Sequence, residues 1–189
     1  MAIKVLTLVV SVLTLIAAII TCIFAYIIPK KMIANQLFAD LVAEYRQPKM
    51  GGAILALFHF YDQCVKKGVD IDSEYKKKYD NQINNQSDDF VKVNFANTLH
   101  FQRRLVAQFY ADMGDLYKNY PNYWLLRKKI YSWFTPNDLK LLKIVLLLAK
   151  PASNVFIQVG GVPEPPYNDN KMYKSIRFLY KKVKKHVIL

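Results

Sequence analysis

The chain is poor in the residues from which most catalytic and metal centres are built. Its 189 residues include two cysteines, three histidines and six glycines. His59, His100 and His186 fall in three separate segments, and none has the H-x-x-x-H or E-x-x-H spacing that sets two ligands on one helical face. His59 and Asp62, three apart, can share a face; two solvated side chains are the ordinary reading of such a pair, a metal half-site the rarer one. Cys22 sits in an apolar run and Cys64 stands alone beyond it, so neither an internal disulfide of the globular part nor a paired-thiolate zinc site is available. There is no P-loop, no dinucleotide-binding glycine pattern and no G-x-S-x-G elbow. The glycine pair at Gly51 and Gly52 is a weak phosphate signal on its own. These absences lead to the expectation of no catalytic residue, no cofactor and no metal.

Acid is also scarce. Fourteen Asp and Glu face 27 Lys and Arg, a formal net charge of +13. The imbalance is local: Lys171–Leu189 has seven basic residues and no acid, whereas residues 30–170 hold nineteen basic and fourteen acidic ones. In this tail Met172, Ile176, Leu179, Val183 and Val187 fall on one helical face, with Lys174, Arg177, Lys181, Lys184 and Lys185 on the opposite arc. Such a helix either packs its apolar face in a bundle and solvates the other, or meets anionic lipid headgroups. Nucleic acid is a weaker partner for it, since no recognised binding motif accompanies the charge.

What the chain has in excess is one apolar run. Val5–Ile28 is twenty-four residues without a charge, about 36 Å as a helix, against a hydrocarbon core of about 30 Å. A cleaved signal peptide fits less well, because the run is long and no A-x-A site precedes a polar start. Lys30, Lys31, Arg46 and Lys49 follow the run and only Lys4 precedes it. That bias sets the N-terminus outside a cell (inner) membrane and the C-terminal domain in the cytoplasm. Ala17, Thr21 and Ala25 recur every four residues, a spacing that serves as a lipid-facing stripe or, less commonly, lets two copies pack together.

Beyond Pro29 the pattern stays helical. Ile33, Leu37, Leu41 and Tyr45 continue the span, and Pro48 opens a second helix with Ile54, Phe58, Tyr61 and Val65 as its expected core stripe and Gly68 as its stop. Tyr75, Tyr79 and Ile83 mark a short amphipathic helix. Thr135, Pro136 and Asp138 mark the start of another, which is too short and too charged by Lys140 and Lys143 to cross a membrane. Residues 151–170 are expected to be irregular, with β-prone "NVFIQV" before a Gly- and Pro-rich stretch. The expected organisation is an all-α chain: anchor 1–29, helical bundle 30–150, loop 151–170 and basic amphipathic helix 171–189.

The segment "LHFQRRLVAQFYADMGDLY" is the richest in chemistry. On a helical wheel Phe95, Leu99, Val106, Phe109, Tyr110, Met113 and Tyr117 gather on one face, with Gln102 inside it. Arg103 lies at the edge, Arg104 points away and His100 faces outward. Neither arginine has an acid three or four residues distant, so a half-buried Arg103 needs a carboxylate from another helix (Asp40, Glu44 or Asp62) or a bound anion. With "YRQPKM" at Tyr45–Met50 and "TPNDLKLLKIVLLL" from Thr135, the "RRLVAQFY" motif resembles a family of uncharacterised bacterial single-span membrane proteins with a helical domain. The resemblance extends to about Lys150 and implies an architecture, without a reaction, cofactor or partner. The functional expectation is a membrane-anchored interaction or scaffold protein. The alternatives are a membrane-tethered effector of a stress or phage-defence response, and an enzyme holding an anionic ligand at Arg103.

Overall fold

A computed structural model describes residues 2–83, 98–158 and 170–187, with side chains over 9–81, 98–154 and 170–187. Every element in these residues is an α-helix: α1 (Ala2–Tyr45), α2 (Pro48–Lys67), α3 (Ile71–Ile83), α4 (Leu99–Asn119), α5 (Trp124–Trp133), α6 (Pro136–Leu147), α7 (Ala149–Gln158) and α8 (Lys171–Val187). The chain divides into two compact units, residues 1–37 and 38–189.

The first unit is a single helix, long and apolar enough to cross a membrane. Pro29 lies inside it without ending it. Every side chain over residues 9–33 is exposed. Two of its hydroxyls are satisfied within the helix: Thr14 donates to the Val10 carbonyl at 2.9 Å and Thr21 to that of Ala17 at 2.8 Å. In hydrocarbon, where water offers no partner, that internal bonding is what a polar side chain requires. At the C-terminal end of the apolar run, Lys30 hydrogen-bonds Tyr26 and lies 3.9 Å from its ring centre. A phenol and an ammonium are the groups found at headgroup level.

The second unit is a helical bundle around α4. Thr98 caps α4 by accepting from the Phe101 amide, and Val106, Phe109, Tyr110 and Met113 are completely buried. Gly114 brings α4 against α8: a Cβ at this position would stand 2.6 Å from the Ser175 carbonyl oxygen. The α6 N-terminus has a reciprocal cap, in which the Thr135 hydroxyl accepts from the Asp138 amide and the Asp138 carboxylate accepts from the Thr135 amide at 2.9 Å. The C-cap Gly68 has φ +62°, a left-handed conformation that a side chain would strain.

Two expectations are corrected. The buried face of α2 is Met50, Ala53, Leu57, Phe60 and Cys64, while Val65 is 59% exposed. This helix is apolar nearly all round, so periodicity cannot choose its inner face. Residues 149–158 are helical, so the irregular reading fails for the first part of 151–170; Pro151 sits in the first turn, where the missing N–H costs nothing. The rest of that segment, 159–169, lies outside the described residues, as do 84–97, which include Phe95 of the helical wheel. The basic tail is a helix, and of its two readings the packing one describes its apolar side: Tyr173, Ile176, Leu179 and Val183 of α8 are buried in the bundle.

Candidate functional site

Two groups of side chains in the second unit carry unusual chemistry. The first is built on Arg103. The wheel sets it at the edge of the apolar stripe, yet its side chain is fully enclosed and the residue is 4% exposed. Among the described residues no carboxylate holds it: its partners are the Tyr173 hydroxyl from α8 and the Tyr75 hydroxyl from α3. Asp62, one of the expected partners, instead pairs with Lys140 at 3.3 Å. The Arg103 Nε has no hydrogen-bond partner among the described residues. Burial opposes the guanidinium charge, but Tyr75 and Tyr173 outweigh it and hold the pKa above the ordinary arginine value.

His100, expected to face outward, is buried at 7% exposure. Its Nδ1 lies 3.1 Å from the Tyr75 hydroxyl, and its ring meets Tyr79 edge-on at 5.4 Å. Burial, reinforced by the charges of Arg103 and Arg104, pushes its pKa down to about 4. At neutral pH it is therefore uncharged. Arginine can only donate, so Tyr75 Oη accepts from Arg103, while the direction of the Tyr75–His100 bond is set by the histidine tautomer. Burial raises the Tyr75 pKa to about 12, against the lowering effect of Arg103. The result is a hydrogen-bonded cluster of Arg103, Tyr75 and His100 that joins α3 to α4, with Tyr173 tying in α8. Arg104 is exposed, as expected, and Gln102 is half-buried rather than inside the stripe.

The second group is an open cleft of about 1070 Å³ at the C-terminal end of α8. Its aromatic lining comes from three helices: Tyr117 of α4, Tyr131 of α5, and Phe178 and Tyr180 of α8. The Tyr117 and Tyr131 hydroxyls hydrogen-bond each other, the Tyr117 and Phe178 rings meet at 5.7 Å, and His186 stacks on Tyr131 at 3.8 Å. Lys181, Lys182, Lys184 and Lys185 supply the remaining wall, and no carboxylate among the described residues lines the cleft. Arg127 lies 4.9 Å from the Tyr117 ring centre, and its Nε has no hydrogen-bond partner among the described residues. Burial, then the bond to Tyr117, raises the Tyr131 pKa to about 12, so the Tyr131 hydroxyl stays protonated in the physiological range.

The structure brings together Lys181, Lys184 and Lys185 of the expected lipid-contact set. Lys174 and the half-buried Arg177 lie on earlier turns of the same helix and do not line the cleft. Lys182, Tyr117, Tyr131 and His186 were not legible as a group, because their convergence depends on how α4, α5 and α8 pack. A smaller hollow between Tyr45, Phe58 and Trp133 borders Asp138. That carboxylate is already engaged by Tyr45 at 2.9 Å and by the α6 cap. His59 lies beside Gln63, and the described residues contain no cluster of three or more His, Cys, Asp or Glu. No protein-family model, curated protein or solved structure matches the chain.

Proposed function

We propose that the chain is a membrane-anchored interaction protein, held by its N-terminal apolar helix, whose helical domain lies in the cytoplasm and presents the basic face of α8 to anionic lipid headgroups. The observation that carries this reading is the division of labour within α8. Its apolar face is spent in the bundle core, while Lys181, Lys182, Lys184 and Lys185 are exposed and enter no ion pair among the described residues. A cation near an anionic leaflet contributes about 1 kcal/mol, and a domain tethered to the bilayer needs little more to lie down on it. Because the apolar face is occupied, contact is electrostatic and peripheral, without helix insertion.

The test is an amine-acylation footprint of the full chain reconstituted in phosphatidylcholine vesicles with and without phosphatidylserine. Lys181, Lys184 and Lys185 should be acylated several-fold more slowly in the anionic vesicles, and high salt should reverse the protection, because exposed charges are screened within a few ångströms at 1 M. Equal rates in both vesicle types would remove the lipid reading.

A further inference from the structure

Resting on the reading that the basic face of α8 meets the membrane, we propose that the cleft between α4, α5 and α8 is a specific binding site for the phosphate monoester headgroup of an anionic glycerophospholipid. A diffuse basic face and a site differ in three respects, and this cleft has the features of a site.

The charge is concentrated rather than spread. Lys181, Lys182, Lys184 and Lys185 lie within five residues, and 181–184, 181–185 and 182–185 are the helical spacings at which like charges repel. No acid in α8 relieves that repulsion. A ligand that does so is favoured by the folded state itself, and one bearing two negative charges relieves it more than one bearing a single charge. A phosphate monoester has this charge and three terminal oxygens to share among several ammonium groups.

The floor is aromatic and already assembled. The Tyr117–Tyr131 hydrogen bond, the His186 stack on Tyr131 and the Tyr117–Phe178 contact hold its rings in place before any ligand arrives. Preorganisation lowers the ordering cost of binding. Rings offer little to a bare inorganic anion, but they suit the glycerol carbons that join a lipid phosphate to its chains. Arg127, beside Tyr117, adds a cation behind the floor.

Finally, α8 cannot act by insertion, since Tyr173, Ile176, Leu179 and Val183 face the core. A lipid must come to the cleft by its headgroup.

The experiment is calorimetric titration of the full chain in neutral detergent micelles with dihexanoyl phosphatidic acid, dihexanoyl phosphatidylserine, dihexanoyl phosphatidylcholine and inorganic phosphate. Phosphatidic acid should saturate one site at least tenfold more tightly than phosphatidylserine or inorganic phosphate, with phosphatidylcholine silent. The double variant Lys184→Gln/Lys185→Gln should weaken it tenfold or more. Lys76→Gln/Lys77→Gln, an equal charge loss on the exposed side of α3, should leave it unchanged, with circular dichroism verifying both folds. Equal losses in the two variants, or equal affinity for phosphatidylserine, would overturn the cleft site while leaving the basic-face reading intact. Inorganic phosphate binding as tightly as the lipid would overturn the lipid assignment. Absence of binding by both anionic lipids would overturn the site and the basic-face reading together.

Discussion

Arg103 and Tyr110 show how differently one buried helix treats its polar groups. Arg103 and His100 are held by tyrosine hydroxyls from neighbouring helices, whereas the Tyr110 hydroxyl is buried without a partner among the described residues. An unpartnered buried hydroxyl forfeits its hydration for nothing, so Tyr110→Phe should leave the fold as stable or raise its stability by up to about 1–2 kcal/mol in urea unfolding; a loss of that size would show that the hydroxyl has a partner. His100 titrates in the opposite sense to a salt-bridged histidine. Its pKa is near 4 folded against an ordinary 6.5, so the unfolded chain binds the extra proton between those values. Its contribution is complete above about pH 6.5 and is lost as pH falls toward 4, by roughly 3 kcal/mol at most. His100→Asn, which keeps an acceptor for Tyr75, should flatten that dependence, and unchanged pH curves in parallel unfolding series would refute the assignment. The wheel misplaced His100 because it ranks positions by apolar neighbours, and the hydroxyls that make a polar residue buriable come from other helices.

Among the elements, α4 and α8 carry the bundle, and Gly114 sets their separation. The contact it makes is with backbone, the Ser175 carbonyl, which cannot swing aside as a side chain can. Gly114→Ala gains about 1 kcal/mol of helix propensity but overpacks a site where such changes cost about 1–3 kcal/mol. Net destabilisation of up to about 2 kcal/mol by chemical unfolding is expected; a stabilised variant would mean that the helices lie farther apart. The adjoining polar cluster, in which Ser175 donates to Asp115 at 2.5 Å and accepts from Lys118 at 2.8 Å, should loosen with it. Helix ends were the most legible feature of the sequence, because Pro48, Gly68 and the Thr135–Asp138 box act locally. The inner face of α2 was not, because apolar residues nearly encircle it. The helicity of α7 was missed because Val155 and Ile157 are β-prone while tertiary packing of Ala149, Ala152 and Ser153 decides the matter.

For the molecule as a whole, the all-α class and the N-terminal apolar helix were readable from periodicity and run length alone. The candidate cleft was not, since its walls come from residues up to 69 positions apart (Tyr117 and His186) that meet only once three helices have packed. The proposed function turns on which side of a membrane the basic domain occupies, because anionic lipid is concentrated in the cytoplasmic leaflet. The most direct measurement is modification of the full chain in intact spheroplasts by a membrane-impermeant amine reagent, followed by the same treatment after permeabilisation. The account predicts that Lys140, Lys143, Lys181 and Lys185 are modified only after permeabilisation, with the protein remaining in the membrane fraction. Modification of these lysines in intact spheroplasts, or recovery of the chain in the soluble fraction, would contradict it.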